Sequence, residues 1–423
     1  MPSILTALFT VSLFTISSSK YVPLSIVTIR PNQLGRFGAK IEESIVGAIR
    51  NLSGIISVLD YGDRNITRAI IHQCSAKFMS ATSVILSKTE EKRISEDIMK
   101  LNELFLLKTS SFVLLVENNK KLCKSHPKML ASASPCTIQD NKRPLLGVVN
   151  ICPGMRWDDF YSGIDLFRHE ILHSLGFGTL IPSTDSQKSP NNVLYEWTYP
   201  WSMTFGKQAK RRFLDFAREA VVEARRHLGC SSLVGIETDS AEKIHLNEYV
   251  YGNELMTPIL SNVSNRFSYI SAAILEETYF GAKPWYSVNR SAIRAEHDGL
   301  WYGRKWGCTF AERSCFEFIT ERIKDKKTTF PFCSQKDYES HEKTKVRIKV
   351  SPKKVLTTIL KCWSAPLRKD DAADNGIMPY TLSRDPDSFL RHRTGSHPLL
   401  RYCPVVADIV KDRFELPVGA ILV

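Results

Sequence analysis

The ten residues from Phe167 to Gly176 contain two histidines spaced four apart, with a glutamate directly after the first. On a helix this spacing places His169 and His173 one turn apart, with Cβ atoms about 6 Å from each other, so both imidazoles can reach one metal ion. Glu170 lies beside that ion, where a carboxylate can accept a proton from water and pass it on. Gly176 can end the helix in the left-handed conformation. The run predicts a zinc-binding hydrolase site.

An apolar stripe at helical spacing accompanies the motif. Its members are Ile164, Phe167, Ile171 and Leu175. The two histidines fall on roughly the opposite side of the same helix. A chance pair of histidines on an ordinary helix is the alternative. The stripe favours instead a helix that packs one face on the core and presents the histidines to a site.

Two later histidines compete for the place of a third ligand. His227 lies at the end of an amphipathic pattern that predicts a helix over 213–228, where a basic C-terminal residue is common. His245 precedes the segment Asn253-Glu254-Leu255-Met256-Thr257-Pro258. On the residues alone both candidates remain open.

The motif and the later segment together resemble the leishmanolysin (invadolysin-like) metallopeptidases, a branch of the metzincins. In that branch a long insertion separates the second and third histidines, and a Met-turn lies beneath the zinc. The resemblance therefore assigns the Met-turn to Met256 and the third ligand to His245. Further blocks extend the likeness from about Tyr21 to about Val406: Arg143–Asn150, Trp306–Phe310 and Arg401–Val406.

The resemblance implies a zinc-dependent endopeptidase with one Zn²⁺ per chain and Glu170 as general base and then general acid. Its substrates would be proteins or peptides, with extracellular matrix or host proteins as candidates. A non-catalytic adhesion or binding protein on the same fold is the alternative. It gains support because no propeptide with an inhibitory cysteine is recognisable and the C-terminal domain looks short. The intact Glu170 favours the enzyme, since a structural metal site needs no base.

The predicted fold is α+β, with a mixed sheet, an active-site helix, an inserted helical segment and a small disulfide-rich C-terminal domain. Periodicity predicts helices over 40–56 and 267–277 and strands over 112–117 and 145–151. By resemblance, strand 145–150 is where an extended substrate would lie; an ordinary interior strand is the alternative. The predicted domains are a signal peptide (1–19), an N-terminal catalytic subdomain (20–178), a central subdomain (179–313) and the C-terminal domain (314–423).

The N-terminus and the cysteines indicate export. The apolar run from Leu5 to Ile16, followed by small residues, is typical of a secretory signal peptide, although a buried first strand would give the same pattern. None of the 10 cysteines form C-x-x-C pairs, and an even number suits disulfides, whereas free thiols are expected in the cytosol. We therefore expect a protein that is secreted, and association with the cell surface is the alternative location.

The resemblance also implies disulfide pairs. They are Cys74–Cys136, Cys230–Cys308 and Cys315–Cys403, and the remaining cysteines suggest Cys123–Cys152 and Cys333–Cys362. Four acceptor triplets for N-glycosylation begin at Asn51, Asn65, Asn262 and Asn289.

The formal net charge is +13. No nucleic-acid-binding module accompanies it, so nucleic acid is not an expected partner. The densest basic stretch, residues 343–350, alternates Lys or Arg with apolar or Thr residues, which predicts a strand with a basic outer face. A solvated sheet face is one interpretation and weak binding of acidic glycans is the other. After the first 19 residues, no segment approaches the roughly 20 apolar residues that a membrane span needs.

Overall fold

The structure of the chain is a computed structural model. It describes residues 21–30, 34–60, 74, 83–86, 110–126, 129–137, 143–155, 157, 162–177, 192–200, 208–216, 218–239, 245–260, 265–278, 284–313, 315–334, 344–351, 354–360, 362–363, 365–366, 393–394, 398–401, 403 and 405–406. The predicted signal peptide and the acceptor sites Asn65 and Asn262 lie outside these ranges.

The described part of the chain is a mixture of helices and strands joined by disulfides. The helices are α1 (Gly38–Ile55), α2 (Lys120–Ser125), α3 (Gly163–Ser174), α4 (Arg218–Leu228), α5 (Glu248–Tyr251), α6 (Tyr269–Glu277), α7 (Arg294–Gly299), α8 (Cys308–Glu312) and α9 (Cys315–Lys324). The strands are β1 (Tyr21–Pro23), β2 (Ile26–Arg30), β3 (Ile56–Leu59), β4 (Ser83–Leu86), β5 (Phe112–Glu117), β6 (Ala131–Thr137), β7 (Leu146–Ile151), β8 (Asn192–Pro200), β9 (Gln208–Phe216), β10 (Ile236–Glu237), β11 (Tyr286–Val288), β12 (Thr344–Ser351), β13 (Lys354–Leu360), β14 (Cys362–Trp363), β15 (Ala365–Pro366), β16 (Arg393–Thr394) and β17 (Val405–Val406). None of these helices is both long and apolar enough to cross a bilayer.

A five-stranded mixed sheet supports the motif helix. Its order is β4-β2-β5-β7-β6, with β2, β5 and β7 parallel and an antiparallel strand at each end. Helices α1 and α3 pack on each other, and α3 also lies against β6 and β7. The predicted helix over 40–56 and both predicted strands are present within two residues of their expected bounds.

The expectation that residues 145–150 form the strand that accepts substrate is wrong. Strand β7 lies between β5 and β6, and β6 is the strand at that end of the described sheet. The sequences explain the order. Strand β7 (LGVVNI) is an almost unbroken apolar run and is buried, as an interior strand requires. Strand β6 (ASASPCT) is rich in small residues and contains Pro135, which an edge position tolerates.

The helix predicted over 213–228 is also partly wrong. Residues up to Phe216 belong to β9, and the helix begins only at Arg218. In β9, Phe213 lies opposite Tyr195 of β8 and Glu237 of β10. Pairing on both sides outweighs local helical periodicity, because strand formation depends mainly on such cross-strand neighbours.

Helix α3 is buried more completely than its sequence pattern predicts. Phe167, Ile171 and Leu175 are inaccessible as expected, but Ile164 is 45% exposed, beside Gly47 of α1 at the margin of the helix contact. His169 and His173 are buried as well, at 0% and 3% exposure. The helix therefore has no solvent-facing side at its histidines, because other elements cover that face.

Disulfides join the cysteines in the pairs suggested above: Cys74–Cys136, Cys123–Cys152, Cys230–Cys308 and Cys315–Cys403. Cys333 is disulfide-bonded too, and its pairing with Cys362 stays a prediction. Residues from the C-terminal part, among them Phe318, Phe332 and Cys403, share one buried apolar cluster with the motif helix. The basic stretch does form a strand, β12, in an antiparallel pair with β13.

Opening the Cys230–Cys308 disulfide by a double Cys→Ser substitution is expected to lower the free energy of unfolding by about 2–5 kcal/mol. The bond spans 78 residues, including His245 and Met256, and chain entropy makes a long closed loop the more stabilising one. Denaturant titration measures the change. Opening Cys123–Cys152, which spans 29 residues, is the control and should have an effect about 1 kcal/mol smaller. Equal stability of the first variant and the parent would contradict the expectation.

Candidate metal centre

Three histidines from two parts of the chain meet in the interior. His169 and His173 come from α3, and His245 comes from the short segment between β10 and α5. One ring nitrogen from each lies within 4.8 Å of the other two, and all three side chains are buried. The ring centroids are 4.5–5.2 Å apart. The structure thus brings together the three residues that the sequence singled out.

Each histidine ring is oriented by a hydrogen bond from its Nδ1 atom. His169 Nδ1 is 2.7 Å from the Leu255 carbonyl, His173 Nδ1 is 2.9 Å from the Phe177 carbonyl, and His245 Nδ1 is 3.3 Å from Asp239 Oδ2. Carbonyl and carboxylate oxygens accept, so each Nδ1 donates, and Nε2 is the ring nitrogen that can bind a metal ion. This is the arrangement in which protein groups orient metal-binding imidazoles.

The Nε2 atoms have the environment of a cation site. Those of His169 and His173 are 2.8 Å apart, and two lone pairs at that distance repel unless a positive charge lies between them. His245 Nε2 is buried with no hydrogen-bond partner among the described residues. Burial, with smaller contributions from the other histidines, lowers the pKa of His169 well below its usual value and that of His173 to about 3. The donor set of three imidazoles fits Zn²⁺.

Gly176 shapes the end of the motif helix. Its φ is +108°, a conformation that favours glycine. The amide of Gly176 donates to the His173 carbonyl and that of Phe177 to the Leu172 carbonyl. This turn carries the Phe177 carbonyl back to His173 Nδ1. Gly176 therefore ends the helix and also places the Phe177 carbonyl where it accepts the hydrogen bond that orients His173.

The segment resembling a Met-turn connects the two halves of the site. Its Leu255 carbonyl accepts from His169, and its Met256 carbonyl accepts from the amide of Leu246, the neighbour of His245. The buried Glu254 carboxylate accepts from the Met256 amide at 2.5 Å and from Ser268. Burial raises the pKa of Glu254, while these bonds lower it. The Met256 side chain is fully buried.

Glu170 is a buried carboxyl group that follows the first histidine. It is 1% exposed, and its Oε1 atom has no hydrogen-bond partner within the described ranges. Burial raises its pKa to about 8. A cation held by the adjacent histidines would favour the ionised form. A carboxyl group so placed can accept and return a proton near neutral pH.

His227 is not part of the centre. Its Nε2 atom lies 2.8 Å from the Tyr302 carbonyl, and the side chain is buried. Burial is the main cause that lowers its pKa to about 4. His227 does lie in the last turn of α4, as the sequence predicts, but its position there is an interior one.

The neutral His227 predicts acid sensitivity. Its pKa is lower in the folded chain than in the unfolded one, so below about pH 6.5 the unfolded chain takes up the proton first. The contribution of His227 to the free energy of unfolding is complete above pH 6.5. It is lost as the pH falls from 6.5 to about 4, by up to about 3 kcal/mol. Denaturant titrations at several pH values should show a smaller loss in His227→Gln, which can donate the same bond but does not titrate. An identical pH profile would contradict the assignment.

Several residues of the site's surroundings carried no sequence signal of their own. Asp239 orients His245 from six residues away, and Glu254 fixes the turn. Arg168 is buried beside the first histidine, where it contacts Glu296 at 2.7 and 2.9 Å and Asp165 at 3.2 Å. The spacing of His169, Glu170 and His173 identified the centre, whereas these supporting residues emerge only when distant segments are brought together.

Comparison with known proteins places the sequence that forms this centre in a family. The profile of Peptidase_M8, described as leishmanolysin, matches residues 108–363, which is more than half of the chain. A leishmanolysin-like peptidase of Caenorhabditis elegans is 26% identical over 339 residues, covering 71% of this chain and 49% of the relative. Its Caenorhabditis briggsae counterpart is 25% identical over 343 residues, covering 71% and 49%. A leishmanolysin-like peptidase of Drosophila melanogaster is 27% identical over 227 residues, covering 46% and 32%.

The chain spans about half the length of the nematode relatives and about a third of the fly relative. The matched residues include the motif helix, His245 and the segment around Met256. The buried histidine cluster, the buried glutamate that follows His169 and the profile match agree with one another. This chain belongs to the leishmanolysin family of metallopeptidases.

Proposed function

We propose that the chain is a secreted, zinc-dependent endopeptidase that binds one Zn²⁺ through His169, His173 and His245. The observation that carries the proposal is the convergence of three buried histidines, each with its Nδ1 atom in a hydrogen bond, together with the buried Glu170 that follows His169 on the motif helix. A structural metal site needs no such base, so Glu170 supports an enzyme over the adhesion-protein alternative.

In this proposal the chain's own residues supply binding and proton transfer. Zinc in a three-histidine site polarises a carbonyl and makes water a better nucleophile at neutral pH. The Leu255, Phe177 and Asp239 oxygens hold the three rings so that their lone pairs face one point. Glu170 takes a proton from the attacking water and returns it to the departing amine. Enclosure of these groups keeps bulk water from competing for their bonds.

Strand β6 is the proposed binding edge for an extended substrate. It lies at one end of the five-stranded sheet and packs against α3, which carries the first two histidines. On its outer side it pairs with no other strand of the described structure. A peptide added there gains main-chain hydrogen bonds that do not depend on its sequence. This arrangement supports cleavage of varied proteins, with matrix or host proteins as candidate substrates.

The proposed location outside the cell rests on two features. Disulfides persist in oxidising compartments, and four are present with described partners. The acceptor residues Asn51 and Asn289 are both exposed, as glycosylation requires. Secretion is tested by expressing the chain in a eukaryotic host and asking whether it leaves the cell with glycans that peptide N-glycosidase removes. Retention inside the cell without glycans would contradict the location.

Cleavage of an unstructured protein such as casein tests the proposed activity. The purified chain should release peptides, 1,10-phenanthroline should stop the release, and added Zn²⁺ should restore it. Retained zinc with no cleavage would favour the adhesion-protein alternative. Heparin retention that survives removal of zinc would separately support acidic-glycan binding by the basic strand β12.

A further inference from the structure

The segment that carries His245 is a short two-stranded ribbon. The Asn247 amide donates to the Glu237 carbonyl at 2.9 Å, and the Asp239 amide donates to the His245 carbonyl at 3.2 Å. Thr238 and Leu246 form an antiparallel bridge between these two bonds. One arm of the ribbon presents Asp239 and the other presents His245, so the position of the third histidine depends on how both arms are held.

A residue far along the chain contacts the first arm and the helix that follows the second arm. Arg401 donates a hydrogen bond from Nη2 to Glu237 Oε1 at the start of the first arm. Its guanidinium also lies 4.4 Å from the ring centroid of Tyr249, in the helix that follows the second arm. The two charged side chains of this ion pair are each 4% exposed. The contacts bracket the ribbon, one before Asp239 and one after His245.

Arg401 is itself firmly placed. It has a φ of +53°, which is uncommon for a residue other than glycine and persists only where the surroundings impose it. Cys403, two residues later, is bonded to Cys315 of α9, and Leu400 is buried in the core. Replacing a whole buried ion pair by apolar residues is often neutral for stability, and the best-attested role of such a pair is to favour one arrangement of the groups around it. Its contribution is therefore expected in the position of the ribbon.

We infer that Arg401 is a positioning residue for the third metal ligand, acting through Glu237 and Tyr249 on the ribbon that bears His245. The inference rests on the proposed function. It gives the C-terminal part of the chain a role in retaining the metal, since Arg401 lies 164 residues beyond Glu237. Removing a group that supports a ligand from outside the coordination sphere lowers metal affinity by about 10–100-fold.

The test compares zinc release from the full chain and from Arg401→Met, with transfer to 4-(2-pyridylazo)resorcinol as the readout. Arg401→Met is expected to release zinc about 10-fold faster or more and to recover cleavage when zinc is supplied in excess. Arg401→Lys keeps the charge but not the forked donors, so its rate should be intermediate. If Arg401→Met does not fold, Arg401→Lys and Tyr249→Leu decide the question, since each weakens only part of the contacts that Arg401 makes with Glu237 and Tyr249.

Arg143→Met is the matched control. Arg143 is also a buried arginine, but it donates to the carbonyls of Leu59, Ser111 and Pro144, away from the ribbon. The Arg143→Met substitution should lower the unfolding midpoint without changing the rate of zinc release. Release at the parent's rate from the Arg401 variants, or equally fast release from Arg143→Met, would overturn the inference. A parent chain that retains no zinc would contradict the proposed function instead.

Discussion

Replacing Glu170 by glutamine is expected to lower kcat/KM for peptide cleavage by about 10²–10⁴-fold, because the amide cannot accept the proton that the carboxylate takes. Glutamine has nearly the same shape and remains polar, and Glu170 is not one of the three converging ligands. Zinc content and the unfolding midpoint should therefore stay close to those of the parent. Steady-state kinetics and metal analysis on one preparation measure both effects.

Glu277→Gln is the control for that substitution. Glu277 is also a buried carboxyl group, and burial raises its pKa to about 7. Its carboxylate accepts from the amides of Glu219 and Ala220 at the start of α4, away from the histidines. The control should keep the parent's activity. Unchanged cleavage by Glu170→Gln would contradict the proposed mechanism.

Replacing His245 by alanine is expected to remove zinc and activity together. Two histidines on one helix leave an incomplete coordination sphere. The loss of zinc affinity should therefore exceed the 10–100-fold loss that is typical when a supporting residue outside the sphere is removed. Equilibrium competition with a chelator of known affinity gives the metal dissociation constant. The fold should persist, since the disulfides and the shared core do not depend on this side chain.

His227→Ala distinguishes the two histidines that the sequence alone left open. It removes a buried imidazole bonded to Tyr302, so it should lower stability and leave zinc affinity unchanged. Depletion of zinc by His227→Ala, with retention by His245→Ala, would show that the third ligand has been assigned to the wrong residue.

The part of the site that could be predicted from sequence is the part whose information is local. His169, Glu170 and His173 are fixed by helical spacing, and Gly176 by its backbone freedom. His245 was selected through resemblance, because nothing in its own neighbourhood distinguishes it from His227. Their contacts do, although both are buried: His227 Nε2 lies 2.8 Å from the Tyr302 carbonyl, whereas a ring nitrogen of His245 lies within 4.8 Å of those of His169 and His173.

The features that sequence reasoning missed are set by pairing between distant segments. Phe213 lies in a strand because β8 and β10 flank it, although its local pattern is helical. Strand β7 is interior because β6 follows an antiparallel path beside it. The ion pair of Arg401 and Glu237 joins residues 164 apart in the chain. No periodicity within one segment encodes such partners.

Titration of the metal-free chain with zinc, with bound zinc and peptide cleavage measured on the same samples, tests the central claim most directly. The proposal predicts that cleavage rises in proportion to bound zinc and reaches its maximum at one ion per chain. Cleavage without zinc, or a chain that holds one zinc through the three histidines and cleaves no peptide, would contradict it.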